Sequence, residues 1–333
     1  MLDEAGARSH LLERGLIERD GKSAPGITLR RIPGRNLLYR IDIDGGTPIL
    51  LKRAVDPETR RALERESESY DHLVRHVGPG KLTVPRMLDY DPVSSTLVLE
   101  FLERHRPLTA STRWGRSSGL ARELGRTLVR LHAIPAPGLP PTLPWVLSLV
   151  HPPVGILREA TRGNLELIRR IQRSRTWRPA LKRLADEWSP RSFIHGDLRS
   201  SNILLDDRPG DRSVLALVDW ELAGVGDPGW DAGWVLAEIL ARRAHPLSDT
   251  FPLVQALWAG YVDGTGPFAA DESATLLSRT LRWAAVATLQ LAYEETSRGP
   301  VESPLVSQLL EMGRSLLERT EVWIERVFLA SSR

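Results

Sequence analysis

Asp197, Asn202 and Asp219 are the residues of this sequence whose types and spacing could do chemistry together. They fall in one stretch, His195-Gly196-Asp197-Leu198-Arg199-Ser200-Ser201-Asn202, followed by the apolar run Ile203-Leu204-Leu205 and, after Pro209-Gly210, by Val214 to Val218 and Asp219-Trp220-Glu221. Two apolar runs flanking a Pro-Gly turn read as a β-hairpin. Counting outward from the turn places Asn202 and Asp219 at the two open ends, where antiparallel pairing is expected to set them side by side. Asp197 lies one short loop earlier. A hard cation such as Mg²⁺ takes one or two protein oxygens and fills its other positions with water and phosphate oxygens. Asn202 and Asp219 suit that task, which leaves Asp197 to position a hydroxyl and accept its proton. Turn and capping roles would account for any one of these residues alone. The spacing Asp-x-x-x-x-Asn, with a second Asp after a following strand, is the one phosphoryl-transfer loops use.

That chemistry needs a cation for the nucleotide phosphates and an acid to hold it. The chain writes positive charge almost wholly as Arg, with Lys only at 22, 52, 81 and 182. A retained Lys fits a place where a compact ammonium on a flexible stem is wanted. Lys52 ends the run Ile49-Leu50-Leu51. On the following helical stretch Leu63, Tyr70, Leu73, Val74 and Val77 set the apolar face, and at 3.6 residues per turn Glu66 falls inside it while Glu64 and Glu68 do not. A carboxylate on a buried face needs a partner, so Glu66 is the acid expected opposite Lys52. A stripe-edge Glu reaching water is the plainer reading of the same position. Pro33-Gly34-Arg35-Asn36 offers a turn whose backbone N–H groups could cradle phosphates, or an ordinary hairpin. Arg199, beside Asp197, either assists a phosphate or faces solvent.

Elements able to position these residues can be read along the chain. Ile27–Ile32, Leu37–Ile43 and Pro48–Ala54 alternate as strands, separated by turn residues. A helix is expected from Pro57 to about Val77, then strands at Arg86–Tyr90 and Thr96–Phe101. Beyond Glu103 the pattern turns helical: Leu120, Leu124, Leu128 and Leu131 share one face. A proline-rich segment, 135–153, interrupts it. Helices are expected to resume over Gly155–Ser174 and Pro179–Trp188, and from Trp230 onward. The fold class is therefore α+β, a small antiparallel-sheet lobe joined to a larger mainly helical lobe, with any cleft expected where they meet.

Composition excludes several alternatives. At 333 residues, with 41% hydrophobic and 26% charged side chains, the chain is an ordinary globular sequence. No cysteine is present, which removes disulfides, thiolate metal sites and a cysteine nucleophile. A net charge of +3 from 45 basic and 42 acidic residues gives no nucleic-acid footprint. The first sixteen residues carry Asp3, Glu4 and Glu13 without an apolar core, and no run is long enough to span a bilayer, so a cytoplasmic protein without membrane partners is expected.

These motifs resemble the aminoglycoside phosphotransferase family, small-molecule relatives of the protein kinases. The resemblance runs through Arg35-Asn36-Leu37-Leu38-Tyr39-Arg40, Lys52, the helix with Glu66, Leu97 to Leu102, Leu124 to His132, His195-Gly196-Asp197 with Asn202, Asp219-Trp220-Glu221, and Gly226-Asp227-Pro228 with Asp231. It implies a two-lobed protein-kinase-like fold, with residues 1–103 as nucleotide-binding lobe and 104–333 as helical lobe carrying the catalytic hairpin 193–221. It further implies transfer of the γ-phosphoryl group of ATP, with GTP not excluded, to a hydroxyl with the help of Mg²⁺. Carried over by position, Asp197 is the catalytic base, and Asn202 and Asp219 hold magnesium. Lys52 contacts the α- and β-phosphates, Glu66 orients it, and Gly34, Arg35 and Asn36 cover the phosphates. The backbone of Glu100 and Leu102 binds adenine, His195 organises the loop, and Asp231 braces it. The acceptor stays open at this level. An excess of acids over arginines from residue 246 onward suits a cationic amino sugar or is an ordinary acidic helix surface, and the C-terminal tryptophans either line a pocket for a choline-like cation or, for the most part, form core. Homoserine, sugars and Ser/Thr of a biosynthetic peptide are further acceptors in such relatives. A nucleotide-binding pseudokinase would have lost Lys52, Asp197, Asn202 or Asp219, and none is lost.

Overall fold

The computed structural model describes residues 3–18, 24–33, 37–78, 80, 82–206, 214–241, 247–264 and 270–328. The chain divides into two compact units, one formed by Met1–Arg106 with Leu204–Ala223, the other by Pro107–Ile203 with Gly224–Arg333.

In the first unit, β1 (Ile27–Ile32), β2 (Leu37–Ile43), β3 (Ile49–Arg53), β4 (Met87–Asp91) and β5 (Thr96–Glu100) form an antiparallel sheet in the order β1-β2-β3-β5-β4. Side chains alternate between its faces, and the register sorts them. Tyr39, Ile41, Ile49, Leu51 and Val98 share one face, packed with Ala7 and Leu11 of α1 (Glu4–Glu13). Leu38, Arg40, Leu50, Lys52, Leu97 and Leu99 share the other. Helix α2 (Pro57–His76) covers that second face. It starts firmly: Asp56 accepts hydrogen bonds from the Glu58 and Thr59 N–H groups at 2.9 and 2.8 Å, Thr59 reciprocates, and Pro57 occupies the first turn. Its buried side includes Leu63, Glu66, Tyr70 and Leu73. Val74, expected on that side, is 69% exposed; the stripe is completed by small residues such as Ser67 and Ser69, whose hydroxyls donate back to helix carbonyls. A small sheet of β6 (His105–Pro107), β8 (Ile203–Asp206) and β9 (Val214–Leu217) follows the order β6-β8-β9. The Pro209-Gly210 turn lies outside the described residues.

The second unit is helical: α3 (Ser118–His132), α4 (Val154–Glu159), α5 (Arg162–Arg173), α6 (Trp177–Asp186), α7 (Pro228–Leu240), α8 (Leu247–Gly264), α9 (Ala270–Thr296), α10 (Pro304–Glu318) and α11 (Thr320–Phe328). A two-strand ribbon pairs β7 (Ser192–Ile194) with β10 (Gly224–Gly226). The single helix expected over 155–174 is two, because Thr161 leaves helical geometry and caps α5 reciprocally with Asn164. α3 and α8 approach through glycines: a Cβ on Gly125 would stand 2.1 Å from the Leu257 carbonyl oxygen, and one on Gly260 would stand 2.0 Å from that of Arg122. Trp230, Trp234, Trp258, Trp283 and Trp323 are all buried in this unit's core. Among the described residues no helix is long and apolar enough to cross a membrane.

Candidate active site

The first unit assembles Lys52, Glu66 and Asp219. Strand β3 turns Lys52 towards α2, and one helical face presents Glu66 to it. The Lys52 Nζ donates to both Glu66 carboxylate oxygens at 2.8 and 2.9 Å and to Asp219 Oδ1 at 2.7 Å. Lys52 and Glu66 are buried, Asp219 partly exposed. Burial disfavours the ammonium, but two flanking carboxylates outweigh it and hold Lys52 protonated well above the usual lysine range. Burial pushes Glu66 up, with the Lys52 charge opposing. Asp219 follows β9 with φ at +70°, in the left-handed region that non-glycine residues seldom enter. Such backbone strain clusters at functional sites. Here it turns the carboxylate onto the lysine.

The segment after β5 has its own backbone accounting. The Glu100 N–H donates to the Arg86 carbonyl at 2.8 Å, the Phe101 N–H to that of Pro48 at 3.3 Å, and the Leu102 carbonyl accepts from His105 at 3.0 Å. A cavity of about 350 Å³ lies against this segment, lined by Pro48, Ile49, Arg86, Glu100, Leu102 and Asp206 among others. Because Ile49 belongs to the sheet face packed by α1, this cavity is not on the face that carries Lys52. Gly34, Arg35 and Asn36 lie outside the described residues.

The second unit holds Asp197 and Asn202 on the loop between β7 and β8. Asp231, in the first turn of α7 and fully buried, positions that loop: its Oδ2 accepts from the His195 N–H at 2.7 Å and its Oδ1 from the Gly196 N–H at 3.0 Å. Trp230 Nε1 donates to the Gly196 carbonyl at 2.8 Å, and Gly196 itself sits at φ +83°, a conformation glycine adopts without a Cβ penalty. His195 is buried, and its Nδ1 faces the Asp197 N–H at 3.4 Å; the ring shapes the loop. The Asn202 Nδ2 donates to the Asp197 backbone carbonyl at 2.9 Å and to its Oδ2 at 3.1 Å. With the amide nitrogen so committed, the amide oxygen is the group Asn202 offers elsewhere, a hard donor of the kind Mg²⁺ takes. Asp219 offers carboxylate oxygens of the same class, so the donor chemistry of both residues fits a magnesium ion.

Arg199 does not point to solvent. Its Nε donates to Asp197 Oδ1 at 2.9 Å, and its Nη1 and Nη2 pair with the two oxygens of Glu294, on α9, at 3.0 and 2.9 Å. Its Cζ lies 4.8 Å from the centre of a Trp234 ring. Glu238 on α7 accepts from the Ser200 N–H at 2.6 Å, and burial raises its pKa. Sequence reasoning counts Glu294 among the C-terminal acids and Trp234 among the C-terminal tryptophans, in both cases for the acceptor and not for the base, and does not single out Glu238. No local signal marks a residue that meets the loop from helices dozens of positions away.

Comparison with known proteins identifies the family and the fold. A profile of the phosphotransferase enzyme family, APH, matches residues 28–272. Streptomycin 6-kinase of Streptomyces glaucescens is 29% identical over 300 residues, covering 82% of this chain and 87% of that protein. Among solved structures, a choline/ethanolamine kinase family protein from Mesorhizobium loti superposes with a TM-score of 0.58 at 17% identity, over 98% of this chain and 99% of the other. A spectinomycin phosphotransferase in complex with ADP and spectinomycin superposes with a TM-score of 0.53 at 13% identity, over 100% and 99%. The fold is thus that of the protein-kinase-like kinases. With the family profile spanning most of the chain and the loop motifs set in their proper elements, the protein belongs to the phosphotransferase enzyme family and moves phosphate onto a hydroxyl.

Proposed function

We propose that this enzyme transfers the γ-phosphoryl group of ATP, with Mg²⁺, to a hydroxyl of a small cationic molecule of the aminoglycoside class. The observation that carries the reading is the Lys52 ammonium held at 2.7–2.9 Å by Glu66 and Asp219. A protonated lysine so fixed is suited to the α- and β-phosphates, and the carboxylate beside it to a phosphate-bound cation. The spectinomycin phosphotransferase solved with ADP supports an adenine nucleotide, and the streptomycin 6-kinase relative supports an aminoglycoside acceptor.

In this reading Glu66 orients Lys52, Lys52 binds the α- and β-phosphates, and the backbone of Glu100 and Leu102 meets the adenine edge. Gly34, Arg35 and Asn36 cover the phosphates. Asn202 and Asp219 are the magnesium ligands, through the Asn202 amide oxygen and the Asp219 carboxylate. When bound, the ion neutralises charge on the phosphate oxygens. Asp197 orients the acceptor hydroxyl and accepts its proton. Phosphoryl transfer asks for little basicity and much positioning, which agrees with a carboxylate anchored at Oδ1 by Arg199 and at Oδ2 by Asn202. Residues 1–103 and 104–333 are proposed as the nucleotide lobe and the lobe for base and acceptor.

The test is incubation with Mg-ATP or Mg-GTP and a panel of aminoglycosides, amino alcohols, sugars and Ser/Thr peptides, read as phosphoryl mass gain. An aminoglycoside product is expected, absent in Asp197→Ala, lost on chelation and restored by Mg²⁺. Nucleotide binding without any Asp197-dependent product would establish a pseudokinase instead.

A further inference from the structure

Arg199 is held far more firmly than a solvent-facing arginine needs to be. Its planar fork meets three groups at once. Glu294 takes Nη1 and Nη2 in a bidentate pair, Asp197 Oδ1 takes Nε at 2.9 Å and Nη2 at 2.8 Å, and a Trp234 ring stacks at 4.8 Å. The anchors belong to rigid elements. Trp234 is fully buried on α7 and packs edge-on against Trp230, 5.8 Å between ring centres. Glu294 is on α9, where it also accepts from Gln290 Nε2 at 3.4 Å. The guanidinium therefore transmits the position of two helices to one oxygen of Asp197, while Asn202 holds the other at 3.1 Å.

We propose that Arg199 is a positioning residue of the transfer reaction, its guanidinium fixing the Asp197 carboxylate in the orientation from which it meets the acceptor hydroxyl. This rests on the reading of Asp197 given above. A carboxylate accepts at up to four lone-pair directions, so an anchor on each oxygen fixes its plane without using its whole capacity. A misplacement near 1 Å at a reacting group lowers rate on the order of 100-fold. A lysine at this position cannot stand in, because a point ammonium lacks the fork that spans Glu294 and Asp197 and the flat face that stacks on Trp234.

The experiment compares wild type, Arg199→Ala, Arg199→Lys and Glu294→Gln in steady-state kinetics with the acceptor found in the panel. Each variant is assayed with and without millimolar guanidinium chloride. Arg199→Ala vacates a seat shaped for guanidinium. We expect its kcat to fall on the order of 10- to 100-fold and the KM for nucleotide to change less than about threefold. Added guanidinium should restore kcat saturably, whereas ammonium and urea should not, and Arg199→Lys should remain impaired. Glu294→Gln should fall less, and the double variant Arg199→Ala/Glu294→Gln should be nearly as active as Arg199→Ala alone, since the two act as one unit. An Arg199→Ala enzyme within twofold of wild type overturns the proposal. So does a fall in kcat that guanidinium leaves unchanged while the melting temperature drops, since Arg199 would then only tie the loop to α9. Absence of Asp197-dependent turnover in the wild type with every acceptor overturns the functional reading itself, an outcome read before any Arg199 variant is compared.

Discussion

Replacing Asp231 by Asn tests how the catalytic loop is held. The change is nearly isosteric, in a side chain with no exposure, so packing is unaltered. Hydrogen bonding is not. The two carboxylate oxygens accept from the His195 and Gly196 N–H groups, and Oδ2 also lies 3.3 Å from His132 Nε2. An amide has one oxygen and one NH₂, so in either orientation the NH₂ faces a backbone N–H. One charge-assisted bond is lost, worth about 1.5–3 kcal/mol, and a buried donor is left unsatisfied, costing about 1–3 kcal/mol. The lost negative charge in the first turn of α7 adds about 0.5 kcal/mol. Partial relaxation of the loop offsets some of this, and the expected net loss is about 2–4 kcal/mol. Thermal unfolding followed by circular dichroism should show a midpoint lower by roughly 3–6 °C. Turnover below that midpoint should fall more than tenfold, because Asp197 is the next residue after Gly196. A variant within about 1 kcal/mol of wild type and with unchanged kcat would refute the bracing role.

Lys52→Ala leaves Glu66 buried without its cation. Stability is expected to fall by about 3–5 kcal/mol, and nucleotide affinity in isothermal titration should fall with it; Lys52→Ala/Glu66→Gln should recover stability without recovering nucleotide binding. Gly125→Ala and Gly260→Ala each drive a methyl group into a backbone carbonyl across the α3–α8 contact, at 2.1 and 2.0 Å. Each should destabilise by about 1–3 kcal/mol or more in denaturant titration, whereas Gly155→Ala, with nothing within 4 Å of its added carbon, should be neutral or stabilising.

Legibility followed the range of the interactions. The strands of the sheet, the start of α2 at Pro57 and the helical face of α3 depend on residues within a turn or a hairpin of one another, and periodicity and turn chemistry located them to within a residue or two. Glu66 could be assigned to Lys52 because a carboxylate on an apolar stripe demands a partner. Where local cues misled, a local competitor was responsible: Thr161 capped α5 inside a stretch that periodicity joined, and Val74 sat at the stripe edge while serines that bond their own helix filled the buried side.

Arg199 marks the boundary of what the sequence by itself determined. Residue type and spacing within the 195–202 loop sufficed to nominate Asp197 and Asn202, since the chemistry is written within a few positions. For Arg199 the sequence offered a phosphate or solvent; its pairing with the base was decided by Glu294, which is 95 residues away, and by Trp234 on another helix. The same holds for the Asp231 carboxylate beneath the His195-Gly196 backbone and for the backbone strain that turns Asp219 onto Lys52. Those placements arise from packing helices and strands against one another. A group's partner across such a contact is set by the summed burial of many apolar side chains, which no local pattern around either residue records.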